Sequence, residues 1–256
     1  MGQGHGRLRN LGLISPFGTA EPGEQMTIDK SQIRNAATVI VLRDRFDAPR
    51  ILMGQRGSKA VFMPNKFVFP GGAVDAGDAE VPLASPLPET CAARIAEDAE
   101  PGLAHAIAVA AIRELWEETG LILGRPGSWD TPPPPDWESF AATGHVPHAA
   151  PLQFTFRALT PPGRPRRFDA RFFLVDADDI ASDLDDFDAA CDELSHLQWV
   201  PLSEARSFDM PFITEVVMAE VEARARDRTP PDSVPFFKND DEESLFLRLR
   251  GKLPTG

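Results

Sequence analysis

The sequence predicts an α/β or α+β fold in which helices pack on a mixed β-sheet. Three observations support this prediction: short β-branched or aromatic runs with the length of strands, two longer stretches with helical periodicity, and the mixed order of the two kinds of element. The chain has 256 residues, which suits one domain of ordinary size or one domain with a large insertion. A hydrophobic content of 42% is sufficient for a core.

The first strands are predicted from runs rich in β-branched and aromatic residues. They lie at 36–42, 50–55 and 67–69. The first two are separated by a polar stretch at 44–49, which predicts a hairpin. Pro70-Gly71-Gly72 ends the third strand in a tight turn, where paired glycines let another group approach the backbone closely.

The clearest helix is predicted at 103–119. Apolar side chains recur there at four-residue spacing, at Ile107, Ala111 and Leu115. Gly120 follows at the place where a helix commonly ends in a left-handed residue, and residues 121–123 are predicted to restart as a strand. The preceding stretch, 78–101, is polar and interrupted by prolines, and we expect no strand in it.

Three more strands and a second long helix are predicted in the rest of the chain. The strands lie at 152–159, 168–175 and 197–200. Pro161-Pro162-Gly163 joins the first two. A short helix is expected to open at 201–205 with Ser203 as its cap, and the second long helix covers 212–226.

These elements define one domain at 34–229. Residues 1–33 are polar and rich in glycine without a period, and we interpret them as a loosely ordered leader, with Met26 as an alternative start. Residues 230–256 are interrupted by prolines and partly acidic, and we interpret them as a C-terminal tail.

Charge and cysteine content exclude several classes of protein. The 26 Lys and Arg against 39 Asp and Glu give a net charge of −13, which argues against nucleic-acid binding through a basic face. Two cysteines, Cys91 and Cys191, cannot form a disulfide framework, and the cytoplasm is the expected location. No apolar run approaches the roughly 20 residues of a membrane-spanning helix. Residues 1–23 lack the apolar segment of a signal peptide.

The segment that carries the most chemical information runs from Arg113 to Leu121. On a helix, Glu114, Glu117 and Glu118 share one face, where like charges repel by roughly 0.2–0.5 kcal/mol per pair. A hard divalent cation such as Mg²⁺, which prefers oxygen ligands, offsets this repulsion. Arg113 lies four residues before Glu117 and can orient its carboxylate. Considered alone, three glutamates at this spacing are more often a solvated acidic helix face than a metal site.

Taken with the glycine turn, the segment resembles the signature of the Nudix hydrolase family. That signature is Gly, five residues, Glu, seven residues, then Arg-Glu-apolar-x-Glu-Glu-x-Gly-apolar. Residues 113–121 match its second half at every specified position, and Gly72 matches its first glycine. Asp78 stands where the family has Glu. Thirty-four residues separate Asp78 from Arg113 where the family has seven, which indicates an insertion of 27 residues at about 79–105.

The chain is also similar to the long-insert subgroup that includes the peroxisomal coenzyme A and acyl-coenzyme A diphosphatases. Besides the insertion, this likeness is carried by Gln55-Arg56 and by residues 62–64, 67–72 and 166–173. The usual coenzyme A signature has an Arg and a Gly at set distances before Phe-Pro-Gly-Gly. Val61 and Asn65 occupy those places here, so the motif for coenzyme A is not met.

The resemblance implies an α/β/α sandwich and a metal-dependent enzyme that hydrolyses a diphosphate linked to another moiety. Mg²⁺ or Mn²⁺ is expected on Glu114, Glu117, Glu118 and the Gly71 carbonyl, with Arg113 orienting the glutamates. The general base would be Glu114 or an acidic residue of a distant loop, for which Glu193 is the candidate.

An acidic protein that binds an anionic diphosphate needs local positive charge, and arginine suits bidentate phosphate contact. The expected substrate-binding residues are Arg56, Lys66, Gly72, Arg167 and Arg171. Coenzyme A or acyl-coenzyme A is the first expectation for the small-molecule substrate, with ADP-ribose, dinucleotides and nucleoside triphosphates as alternatives. A non-catalytic ligand-binding module is the alternative from another functional class, and a homodimer is an open alternative to a monomer.

Overall fold

The computed structural model describes residues 32–60, 63–239 and 244–251. Eleven strands are present in them: β1 (Ile33–Arg43), β2 (Arg50–Arg56), β3 (Phe67–Val68), β4 (Gly71–Ala73), β5 (Gly124–Pro126), β6 (His145–Pro147), β7 (Gln153–Leu159), β8 (Arg167–Asp176), β9 (Leu194–Pro201), β10 (Val234–Asn239) and β11 (Ser244–Leu249). The α-helices are α1 (Glu89–Ala96), α2 (Leu103–Thr119), α3 (Glu138–Ala142) and α4 (Phe212–Arg224).

Nine of these strands form one mixed sheet. Its order is β11-β10-β7-β8-β1-β2-β3, with β4 paired to β1 and β9 paired to β2. The β1–β8 and β10–β7 pairs are parallel, and the other pairs of this sheet are antiparallel. The predicted β1–β2 hairpin is present, and β7 and β8, which 161–163 joins, also form an antiparallel hairpin.

Helices cover both faces of the sheet. Alternate side chains of β1 point to opposite sides, and each set is buried against the helix on its side. Val39 and Val41 pack in the core beneath α2, whereas Ile40 and Leu42 pack in the core beneath α4. Both cores continue across β7 and β8. The predicted α/β/α sandwich with a mixed sheet is therefore confirmed. No helix among the described residues has the length and apolar character needed to cross a bilayer.

The helix α2 has the predicted bounds. It ends at Gly120, whose φ of 73° is left-handed, and the Gly120 N–H donates to the Trp116 carbonyl at 2.8 Å. Residues 121–123, however, are not a strand, and this prediction is wrong. They are buried, and the hydrogen bonds of Ile122 go to a loop instead of to a strand: its carbonyl accepts from the Ala181 N–H at 2.8 Å, and its N–H donates to Ser182 Oγ at 3.1 Å.

The predicted insertion is part of the folded core. It contains α1, which sequence analysis did not predict, and its buried side chains join the core beneath α2; these are Val81, Leu87, Cys91 and Ile95. The buried Arg157 of β7 donates to the carbonyls of Glu97 and Asp98 at 2.8 and 2.9 Å. The insertion is therefore held down on the side of the sheet that α2 covers.

Two other sequence expectations need correction. The proposed tail at 230–256 contains β10 and β11, which extend the main sheet, so the domain does not end at 229. The strand β9 runs through Pro201, and the short helical turn begins only at Ala205, so Ser203 does not cap it. Residues 1–31 of the predicted leader, including Met26, lie outside the described residues.

Candidate active site

The glycine turn and the acidic helix are in direct contact. The Gly71 N–H donates to Glu118 Oε2 at 2.7 Å. A Cβ atom on Gly72 would lie 2.5 Å from each atom of the Glu114 carboxylate, and one on Gly71 would lie 2.4 Å from the Ala37 carbonyl oxygen. Gly71 is therefore needed for close pairing with β1, and Gly72 is needed to make room for Glu114.

Arg113 links the two halves of the signature across the insertion. Its Nε donates to Asp78 Oδ1 at 3.0 Å, and its Nη1 donates to Glu114 at 2.9 Å and to Glu117 at 3.2 Å. Its Nη2 donates to the Ala73 carbonyl at 2.9 Å. Arg113 and Asp78 are both buried, and the inserted residues do not separate them. The contacts predicted for Arg113 are therefore present, and its catalytic role stays a prediction.

Burial makes the acidic face of α2 costly to ionise. It raises the pKa of Glu114 to about 7, against the opposing effect of Arg113, and Glu117 and Glu193 raise it further. Burial also raises the pKa of Glu117, and it raises that of Glu118 well above its ordinary range. Glu118 Oε1 is buried without a hydrogen-bond partner among the described residues. The positive charge near these carboxylates is not sufficient to offset the cost of burying them in the ionised form.

The donor chemistry fits a hard divalent cation, because such ions prefer carboxylate oxygens and Glu118 Oε1 has no other partner. Arg113 holds Glu114 and Glu117 in this structure. Among residues 32–60, 63–239 and 244–251, no group of three or more His, Cys, Asp or Glu side chains is placed to surround an ion. Binding would require the carboxylates to turn toward a common point, and the Gly71 carbonyl as a ligand stays a prediction.

A cleft of about 960 Å³ opens beside this acidic cluster. Glu114, Gly71 and Gly72 line one part of it, together with Glu193 of the loop before β9. The cleft lies on the α4 side of the sheet, and the start of α4 at Phe212 forms part of its wall. Its basic lining residues are Arg34, Arg56, Lys59, Arg164 and Arg166.

Comparison with known proteins identifies this arrangement. No family model matches the chain. A solved NUDIX hydrolase from Alicyclobacillus acidocaldarius is 28% identical, with a TM-score of 0.52, over 78% of this chain and 98% of that one. The chain has the Nudix fold. It is also 30% identical over 185 residues to "Putative nudix hydrolase 7" of Caenorhabditis elegans, and the match covers 68% of this chain.

Both matched proteins are named as Nudix hydrolases, and the chain is similar to the first in fold and to the second in sequence. The match spans about half of the worm protein, 53% of its length. Neither name states a substrate, so the comparisons leave the coenzyme A subgroup as a proposal.

Two of the predicted substrate-binding residues of the Nudix domain line the cleft, Arg56 and Gly72. The Arg56 Nη2 donates to Glu193 Oε1 at 2.8 Å, which joins the predicted phosphate-binding arginine to the predicted loop carboxylate. The Glu193 side chain is 54% exposed and therefore accessible from the cleft. Its role as general base stays a prediction.

The other three predicted substrate-binding residues lie outside the cleft lining. Lys66 is paired with Asp209 at the base of the loop between β2 and β3. Arg167 donates to the Thr160 carbonyl at 3.2 Å and so closes the β7–β8 hairpin. These two side chains act as structural contacts in the described part of the chain, and neither is directed to the cleft.

Arg171 requires a clear correction. Its side chain is fully buried, because it points into the sheet beside Asp169 and not toward solvent. It donates to Asn35 Oδ1 at 2.6 Å and pairs with Asp169 at 3.0 Å. Burial also lowers the pKa of Arg171 to about 10. A substrate cannot reach this guanidinium, and Arg171 belongs to the structural core.

Sequence analysis did not select the cleft cations Arg34 and Arg166 as substrate-binding residues. Arg34, Ala36 and Thr38 line the cleft at every second position of β1, so strand periodicity was a signal for the first. Arg166 belongs to a dense basic cluster in the sequence, which consists of Arg164, Arg166, Arg167 and Arg171. Sequence proximity could not separate the members that face the cleft from those that close the hairpin or enter the core.

Proposed function

We propose that this Nudix protein is a metal-dependent diphosphatase that cleaves a diphosphate linkage in a nucleoside-diphosphate-linked substrate. One observation carries the proposal: the Glu114 carboxylate, accommodated by Gly72, borders the same cleft as Arg56 and Lys59. Groups suited to holding a cation therefore lie next to groups suited to holding phosphate. A solvated acidic helix face would not be buried against a glycine turn.

When bound to the three glutamates, Mg²⁺ or Mn²⁺ would supply Lewis-acid stabilisation of charge on the phosphate oxygens. Arg113 donates to Glu114 and Glu117 and would orient their carboxylates, and Arg56 and Lys59 would bind the phosphate oxygens. Hydrolysis requires a base that takes a proton from the attacking water. Of the carboxylates that line the cleft, Glu114, with a pKa raised to about 7, and the exposed Glu193 are the candidates that we propose for this role.

Coenzyme A or acyl-coenzyme A is the first substrate that we propose, on the likeness to the long-insert subgroup. The cleft volume of about 960 Å³ lies at the upper end of the roughly 300–1,000 Å³ common for small-molecule sites, so a nucleotide with a long second group can be accommodated. The failed coenzyme A signature at Val61 and Asn65 keeps ADP-ribose, dinucleotides and nucleoside triphosphates in the test set.

The test is a panel of these diphosphates with Mg²⁺ and with Mn²⁺, followed by product analysis to show which phosphorus water attacks. The variant Glu117→Gln/Glu118→Gln should lose most turnover, at least about 10²-fold, while its thermal unfolding stays cooperative. Glu222→Gln, an exposed glutamate on α4 that pairs with Arg206, is the matched control and should keep wild-type turnover.

Two results would contradict the proposal. Wild-type turnover in the double variant would show that the acidic face of α2 is not the catalytic centre. Binding of one of these diphosphates without cleavage under either metal would favour the ligand-binding module instead. That second reading has some structural support, because Arg113 already occupies two of the three glutamates.

A further inference from the structure

The cleft continues far beyond the glycine turn, along the face of the sheet that α4 leaves uncovered. The register of the strands paired with β1 gives the distance between the glycine turn and the far end of the cleft. Gly72 pairs with Ala37 and Arg167 pairs with Ile33, so four residues of β1 separate these two levels. At about 3.3 Å per residue, the separation is about 13 Å. Arg164 and Arg166 precede Arg167 and line the far end.

The surface between the two ends is mostly apolar. On the sheet it is made by Ala36 of β1, Ala158 of β7, Ala170 of β8 and Phe237 of β10. Phe212 stands at the rim with 68% of its surface exposed, although it is a large apolar side chain. A group that lies along this surface would bury carbon against carbon and would make few polar contacts.

The far end carries two arginines for which the described residues supply no ion-pair partner. Arg56 is paired with Glu193 at 2.8 Å and Arg34 with Asp75 at 3.5 Å. Within the described ranges, Arg164 and Arg166 have no carboxylate within ion-pair distance. In a protein with a net charge of −13, two arginines at the far end of an apolar path, unpaired among the described residues, indicate an anionic ligand group.

We propose that the preferred substrate carries a second anionic group, a carboxylate or a phosphate monoester, at the end of a largely apolar arm. Arg164 and Arg166 would bind this group, about 13 Å or more from the diphosphate. The inference rests on the proposed function, because the position of the diphosphate at Gly72 and Glu114 defines the start of the arm. It makes Arg164 and Arg166 specificity-determining residues for the reaction.

The experiment uses ADP esters whose terminal phosphate carries a linear alkyl arm of graded length. Each length is made with four end groups: carboxylate, phosphate, methyl and trimethylammonium. Hydrolysis and, separately, binding by calorimetry are measured for the full-length protein. For arms that reach about 13 Å, we expect kcat/KM for the anionic ends to exceed that for the methyl end by about five- to tenfold, a modest ratio because Arg164 is exposed.

The preference for anionic end groups should depend on Arg164 and Arg166 and should weaken when salt screens their charge. Arg164→Gln/Arg166→Gln should bring the carboxylate-to-methyl ratio close to one, and raised salt should reduce it in the wild type. Arg50→Gln/Arg206→Gln removes the same charge from two arginines outside the cleft lining and should leave the ratio unchanged. The cationic end should be the poorest of the four at every length.

The outcomes separate this inference from the proposed function. Cleavage of all esters with equal efficiency would overturn the inference and leave the diphosphatase standing. Tighter binding of the anionic ends without cleavage of any ester would support the inference and contradict the diphosphatase. A preference that survives in Arg164→Gln/Arg166→Gln would show that other residues recognise the end group. Preference for carboxylate over phosphate, or the reverse, identifies the chemical source of the anion.

Discussion

Replacing Gly72 by alanine tests whether the glycine turn exists to hold Glu114. A Cβ atom at this position would lie 2.5 Å from the carboxylate of Glu114, whereas ordinary contact begins at 3.4 Å, so the carboxylate must move by about 1 Å. A displacement of this size in an active site costs on the order of 10²-fold in turnover. The φ of Gly72 is not positive, so alanine introduces no backbone strain there.

The assay is kcat on whichever diphosphate of the panel is cleaved fastest, together with thermal unfolding. Gly72→Ala should lose about 10²-fold in kcat with a small change in Tm, since the flexible end of one side chain can yield. Gly77→Ala is the matched control, because a Cβ atom there meets nothing within 4 Å. Full activity in Gly72→Ala, or a loss of activity that follows only a loss of folding, would refute the reasoning.

Three further changes test the burial of charge. Asp78→Asn should lower the free energy of unfolding by about 2 kcal/mol in urea denaturation, because it removes the buried charge that accepts from Arg113 Nε at 3.0 Å while Glu114 remains as a partner, whereas Asp75→Asn, half exposed at 3.5 Å, should cost less than about 0.5 kcal/mol; equal costs would contradict this. Arg171→Met should cost about 2–3 kcal/mol and leave KM unchanged, and a raised KM in a stable variant would return Arg171 to the substrate site. Because burial raises the pKa of Glu114 from an ordinary 4.5 to about 7, the folded state holds more protons than the unfolded state between these values. The free energy of unfolding of metal-free protein should therefore fall as pH rises from about 4.5 to 7, and Glu114→Gln should flatten that slope.

Elements with strong local patterns were predicted well. The helix α2 has the predicted bounds because its apolar periodicity and its terminal glycine agree. The strands at 36–42 and 168–175 were found because β-branched and aromatic runs are typical of buried strands. The strand prediction at 121–123 was wrong for the same reason. A buried apolar segment has the composition of a strand even where its backbone bonds to a loop.

Elements that depend on tertiary contact were missed. The helix α1 has few large apolar residues and lies among prolines, and it forms against α2, where Cys91 and Ile95 are buried. The strands β10 and β11 lie in the partly acidic segment after Pro230; β10 pairs with β7, and β11 joins the sheet by pairing with β10. Local sequence carries little information about either event, because partners distant in the chain stabilise both.

Within the acidic segment, the spacing of Glu114, Glu117 and Glu118 already placed three carboxylates on one helix face, since helical geometry is local. The sequence also supplied Gly72 and Arg113, and their contacts follow the pattern that it predicted. Which arginines line the cleft was decided by the folded chain. Neighbouring residues of one basic cluster enter the core, close a hairpin or line the cleft, and that choice depends on strand register and burial, which are set by contacts between distant segments.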